Sequence, residues 1–479
     1  MTYARKQILA GLARNTAASG DVLLRLLHPE AKPAWNWLFI RSGWPAVVVD
    51  ALVTHHDWRM RAEFAQNPGA APADRARLVD DPVRKVRWEL AHGPQPYRRV
   101  ADPLPDETYA RLLTAPDRVV REMAARSASI PGRVLVQYAG HEDLGVRKAV
   151  CRAWDALGPA DREALLADPD AGVRRAAARQ ACRSDETLTD GVLAVVEPHE
   201  RQDVWAEARL PRATAERLMD ADDSDVRHAL ARNPALSPDL VARLSTDPEH
   251  RIRLAVSARP ELTEDQRAAI AYEVGREDRL GPLAWVLALT GESAALRACA
   301  TSAHRWLRRS PAWHPALPPD LVELLADDED FVVRLYLCEQ QPDAPAEALL
   351  RMVLEWHSYS SYDMVRMPQF PGKGLARYAD DPDPALRRLV VHDPDATPES
   401  IERLSHDESS WVQQQAAADP RLPATRIDAL LRQWNLAGQA ALNPALTEAE
   451  MHRLLDELGI PARPVAAPTR PRPGSWCGR

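Results

Sequence analysis

Cysteine is sparse: Cys151, Cys182, Cys299, Cys338 and Cys477 are an odd number, widely scattered, and none forms a C-x-x-C pair. That excludes a disulfide framework and a cysteine zinc site, and it points to a reducing, cytoplasmic setting. Long apolar runs are missing as well. Stretches such as Ala46–Val49 and Val192–Val196 fall far short of the roughly 18 residues a membrane span needs. The short apolar stretch near the amino terminus is closed by Arg14, too soon for a secretory core. Charge of one sign does not dominate, since 61 basic and 69 acidic residues leave a net −8, so the whole chain is no polycation built for nucleic acid. Lysine is rare (Lys6, Lys32, Lys85, Lys148 and Lys373 only), arginine supplying the rest; with abundant alanine, this bias fits a GC-rich bacterial genome. Complete enzyme motifs are absent too. Gly291-Glu-Ser293-Ala-Ala295 misses the second glycine of a nucleophile elbow, and Pro371-Gly-Lys373-Gly lacks the flanking residues of a P-loop. His55-His56-Asp57 is the densest potential metal cluster, but no H-E-x-x-H accompanies it.

Proline, in contrast, is abundant, with 41 in 479 residues. Together with 45% hydrophobic and 27% charged residues, this describes a packed chain with little room for central sheets. The prolines recur in register. An apolar anchor, usually followed by arginine, precedes a proline by eight positions: Met60 and Pro68, Val86 and Pro94, Val226 and Pro234, Ile252 and Pro260, Leu307 and Pro315, Leu386 and Pro394. Val412 with Pro420 and Leu436 with Pro444 keep the spacing without the arginine. Looser copies at Val120, Val146, Val173 and Val333, and weaker phases near Ile8, Trp37, Val204, Leu283 and Val365, bring the expected count to about 17 repeats of 24–26 residues.

Each repeat carries the punctuation of two short helices. Asp247-Pro248 reads as an N-cap followed by proline at the first helical position. Ile252, Ala255 and Val256 would form one apolar stripe, and Pro260 would stop the helix. Thr263 with Gln266, and Thr447 with Glu450, are capping boxes for second helices. Helices this short need neighbours, so the expected fold is all-α, a stack of two-helix (α/α or α/3-10) repeats forming a solenoid.

The string Leu-x-x-Asp-Pro-x-x-x-Val-Arg-x-x-x-Ala-x-Asn-Pro, approached by 243–259 and 379–394, resembles the variant leucine-rich repeat family, a neighbour of HEAT-like repeats. The resemblance covers most of the chain and implies a right-handed superhelix of alternating short helices. Some members of that family carry an iron–sulfur cluster on an amino-terminal cysteine-rich segment. No cysteine precedes Cys151 here, so no cofactor is expected.

Five regions are expected. Residues 1–100 are basic (15 Lys and Arg against 9 Asp and Glu) and tryptophan-rich, 101–354 are acidic repeats, 355–375 form an irregular aromatic insertion, 376–460 are carboxy-terminal repeats, and 461–479 are a disordered Pro/Arg-rich tail. The arginine after each anchor suits a ladder of carboxylate pairs, with phosphate tracking as the alternative. Candidate binding residues are Trp35, Trp37, Trp58, Arg59, Arg61 and Trp88 in the first region, and Trp356, His357, Tyr359 and Tyr362 in the insertion. Two functions follow. The first is a non-enzymatic scaffold holding a protein or peptide partner; the second is nucleic-acid binding or processing through the basic amino-terminal part, by analogy of fold with HEAT-like alkylpurine DNA glycosylases. Neither involves a membrane. If Trp37, Arg59, Arg61 and Trp88 share one open face, the second gains; if they are packed between layers, it loses.

Overall fold

A computed structural model describes residues 3–41, 43–94, 102–196, 201–356 and 359–462. Among the described residues every regular element is an α- or 3-10 helix and none is a strand. The helices are short because each is punctuated at both ends. Asp57, Asp117, Asp143, Asp170, Asp223, Asp330 and Asp383 are N-caps whose carboxylates accept backbone N–H groups of the following turn. Second helices begin with proline, as in Pro238–Leu244, Pro319–Ala326 and Pro398–Leu404, or with the capping boxes at Thr263 and Thr447.

Asp247 departs from expectation. The helix starts at His250, not at Pro248, because the Asp247 carboxylate is engaged twice: it accepts the Glu249 N–H in a turn and the Arg227 guanidinium of the preceding repeat. The remainder of that repeat follows its pattern, with Ile252, Ala255 and Val256 buried.

The anchors Met60, Val86, Val120, Val146, Val173, Val226, Ile252, Leu307, Val333, Val412 and Leu436 are buried, whereas Leu386 is half-buried. Each fully buried apolar side chain contributes on the order of 1.5–3 kcal/mol, which a single eight-residue helix cannot collect alone. Stacking is therefore what makes the helices persist.

The contacts divide the chain into two compact units. A terminal unit comprises residues 1–161 and 373–479; a central unit comprises 162–372. In the terminal unit one hydrophobic core runs through residues from both chain ends. The Tyr3–Arg14 helix packs along the Ala437–Leu442 helix, so the last repeats are followed in space by the first. The approach is close enough to demand glycine: a Cβ at Gly11 would lie 2.2 Å from the Gly438 carbonyl oxygen. Asn15 Nδ2 then donates to the Ala441 and Asn443 carbonyls, at 3.0 and 2.8 Å. Asn443 makes the same two-carbonyl clamp on Ala417 and Asp419 of the repeat before it.

The central unit has its own exception. After the Glu264–Ala268 helix, the backbone up to Pro282 carries no regular element. Arg309, 1% exposed, holds this segment by donating to the carbonyls of Gly275, Arg276 and Asp278 while pairing with Asp330 at 2.8 Å. Trp306 Nε1 donates to Gly281 O and Tyr336 Oη to Leu280 O. Within 355–375, a short helix, Tyr359–Met364, is followed by turns, with Ser361, Met364 and Val365 buried. The Pro/Arg-rich stretch 463–479 lies outside the described residues.

Candidate functional site

The repeated arginines come first, because their partners decide whether they are available to a ligand. Position by position, the guanidinium donates to the backbone carbonyl six residues earlier: Arg61 to His55, Arg121 to Ala115, Arg174 to Asp168, Arg227 to Ala221, Arg253 to Asp247, Arg308 to Ser302, Arg334 to Asp328 and Arg387 to Asp381. Gln413 keeps the bond to Asp407 O where arginine is replaced. Many then reach a carboxylate of the next repeat. Arg61 pairs with Asp81 at 2.5 Å, Arg121 with Asp143, Arg227 with Asp247, and Arg387 with Asp407 through two bonds of 2.8 Å. The Arg387 guanidinium holds the Asp407 carboxyl below its ordinary range. The ladder thus satisfies carbonyls that the loop before each anchor helix would otherwise leave unpaired.

The predicted aromatic and basic set is therefore dispersed. Arg61 is buried in its pair with Asp81. Trp35 is 7% exposed, donates Nε1 to Leu26 O and packs edge-on against His55. Both are structural, because their polar atoms are already engaged inside the stack. Trp58 is half-buried with Arg59 against its ring, and Arg59 is exposed. Trp88 is half-buried, stacked on His92 and covered by Lys85, 3.6 Å from the ring centroid. Trp37 alone among these tryptophans is exposed. In the central unit, Trp356 donates to Ser360 Oγ and lies beneath Arg279. Tyr359 and Tyr362 sit on the Tyr359–Met364 helix, and His357 lies outside the described residues.

Of the histidine cluster, His55 is buried, with Nδ1 accepting from the Asp57 N–H and Nε2 facing Leu27 O. Among the described residues no group of three His, Cys, Asp or Glu could hold a metal ion. The buried thiols of Cys299 and Cys338 are pushed up to about 11 and about 12 by desolvation, which keeps them protonated and unreactive.

What the structure does assemble is a groove of about 550 Å³ beside Trp37. Lys6, Gln7 and Ala10 of the Tyr3–Arg14 helix form one wall. Glu30, Lys32 and Pro33, on the 3-10 helix Pro29–Ala34, and Trp37 on the Trp35–Leu38 helix form the other. That 3-10 helix is stiffened by two prolines and capped by His28, whose Nδ1 accepts the Glu30 N–H. Trp37 is 39% exposed, with Arg14 placed 4.7 Å from its ring centroid. Ile40, Tyr3 and Trp434 are also exposed, and the rings of Tyr3 and Trp434 meet edge to face across the two chain ends.

Sequence reasoning reached Trp37 but missed Lys6, Lys32 and the role of the first helix. The rarity of lysine was the available signal: two of five lysines line this groove.

No family model and no curated protein matches the chain. Among solved structures, a leucine-rich repeat variant with a novel repetitive structural motif is similar over 51% of this chain and 89% of its own, at 21% identity and a TM-score of 0.27. An engineered protein is similar over 96% of this chain and 99% of its own, at 14% identity and a TM-score of 0.14. Both resemblances are weak, and scores this low carry no argument. Among the described residues no helix is long and apolar enough to cross a membrane.

Proposed function

We propose that this chain is a non-enzymatic scaffold of variant leucine-rich repeat type, and that it binds a protein or peptide partner through the groove beside Trp37. The observation that carries this reading is the exposed Trp37 on a stiff groove wall, facing the first helix, which also carries the exposed Tyr3 in contact with exposed Trp434. Exposed aromatics held rigidly supply binding area at low entropic cost. The four cysteines among the described residues are free and buried, which suits a reducing cytoplasm.

A nucleic-acid reading would use the same groove, since Lys6 and Lys32 flank an exposed tryptophan. It is the weaker reading because the repeated arginines, including Arg61, are engaged by carbonyls and carboxylates of the stack.

The test is affinity capture from a source lysate with the full chain, compared with the Trp37→Glu and Trp434→Glu variants at matched thermal stability. The scaffold reading expects specific proteins that the wild type retains and Trp37→Glu loses. Identical bound sets for all three chains, or retention of nucleic acid alone, would contradict it.

A further inference from the structure

We propose that the groove beside Trp37 takes an extended, acidic peptide segment that carries an apolar side chain. This rests on the reading above that the surface receives a polypeptide, and it names the chemistry of that polypeptide.

Arginines along the stack are committed to carbonyls and carboxylates, as Arg61, Arg227 and Arg387 illustrate. Lys6 and Lys32 are different: both are exposed, and neither makes an ion pair among the described residues. They project from opposite walls of one groove, with Glu30 as its single carboxylate. The groove therefore offers two ammonium groups to whatever enters, and the complementary ligand is anionic.

Its apolar component comes mainly from the exposed Trp37 and the half-buried Pro33. A purely ionic ligand would leave that surface wet, so the complementary ligand is also partly apolar. The walls belong to a proline-stiffened 3-10 helix and to a helix packed along the chain's last repeats, so little ordering is required on binding. A nucleic acid fits less well. Phosphate tracking needs a line of cations, and here two lysines stand alone, while Arg14 already lies against the Trp37 ring.

The experiment is fluorescence anisotropy of the full chain with a labelled ten-residue peptide of alternating Glu and Leu. An alternating Gln-Leu peptide and a ten-nucleotide oligothymidylate serve as comparison probes. The proposal expects the Glu-Leu peptide to bind about tenfold more tightly than either, and the preference to shrink as salt is raised. Lys6→Glu combined with Lys32→Glu should weaken it by about tenfold or more, Lys6→Gln with Lys32→Gln by less, and Trp37→Ala by about tenfold. Trp411→Ala, on another repeat, should leave it within about twofold. Circular dichroism and melting temperature confirm that each variant is folded. Equal binding of the Glu-Leu and Gln-Leu peptides, both lost in Trp37→Ala, would overturn the acidic specificity while leaving the polypeptide reading intact. Tighter oligothymidylate binding would overturn both. Failure of the Glu-Leu peptide to bind, or its indifference to the charge-reversed variant, would overturn the inference.

Discussion

Two places in this molecule join helices that are not ordinary consecutive repeats, and they differ in whether backbones touch: both use a buried arginine, Arg25 or Arg309, but only one brings helix against helix. In the terminal unit, the first helix meets the Ala437–Leu442 helix through backbone contact, with Gly11 against Gly438. In the central unit, the segment before Pro282 has no helix to offer, and buried polar groups hold it instead: Arg309 with Asp330, and His304, whose Nε2 lies 2.8 Å from Ser257 Oγ. The first solution adds to that steric contact the Asn15 clamp and the buried Arg25, which donates to the carbonyls of His452 and Pro461 and pairs with Asp456. The second depends on every donor finding its carbonyl and every charge its partner. A repeat stack can therefore tolerate an irregular junction, provided either the backbones touch or the exposed backbone polar groups are individually satisfied.

The comparison can be broken most forcefully at Gly11. A leucine there places its Cβ 2.2 Å from a backbone oxygen and 2.7 Å from the Ala441 Cβ, so the two helices must separate. We expect more than about 3 kcal/mol of destabilisation. Gly132 is the control, since a Cβ there would meet only Ala153 Cβ at 3.5 Å, and Gly132→Ala should change the urea midpoint little.

At the polar junction, Arg309→Met removes the closer of the two guanidinium partners of buried Asp330, leaving Arg305 at 3.5 Å, and orphans the carbonyls of Gly275, Arg276 and Asp278. A loss of about 3–5 kcal/mol is expected in urea unfolding. Neutralising the carboxylate as well, in Arg309→Met with Asp330→Asn, should recover part of it. No recovery would show that the segment, not the charge, dominates.

Acid distinguishes the junctions further. Burial, and then the charge of Arg267, push His304 down to about 4 from an ordinary 6.5. The unfolded chain then binds the proton more readily than the folded one, so stability is complete above about pH 6.5 and is lost as pH falls towards 4. The loss from this group is about 3 kcal/mol. A His304→Phe variant, which keeps a ring beside Tyr272, should flatten that part of the stability–pH profile; an unchanged profile would refute the assignment.

The smallest effect sharpens the comparison. Asn15→Ala and Asn443→Ala each remove a two-carbonyl clamp, one between the chain ends and one between consecutive repeats. Both should cost about 2 kcal/mol, and equal costs would show that the chain-end contact behaves as an ordinary repeat junction.

Much of this was legible in the residues. Anchor spacing located the buried positions, and the Arg–Asp ladder followed from the chemistry of guanidinium and carboxylate. Asn15 stands seven positions after Ile8, the place Asn443 holds after Leu436, so its clamp was in register even though proline does not follow it. Its partner was not legible, because nothing local to Gly11 says that Gly438 lies against it. The longest irregular backbone, before Pro282, was not foreseen. Tyr, Ser and Trp at 355–375 look like loop composition, yet Ser361 and Met364 pack inward there. Before Pro282, by contrast, the charged run Arg276-Glu-Asp-Arg279 looks helical, but long-range bonds from Arg309 hold its carbonyls. The groove was missed for a similar reason: Lys6 and Lys32 are distant in sequence and meet only because the first helix folds beside Trp37.

The claim that the two chain ends stack as consecutive repeats is tested most directly by native-state hydrogen exchange on the full chain. The amides of Leu9–Ala13 should be protected as strongly as those of Ala437–Leu442, and both sets should lose protection together in Gly11→Leu. A first helix that exchanges freely in the wild type, while the last repeats stay protected, would contradict it.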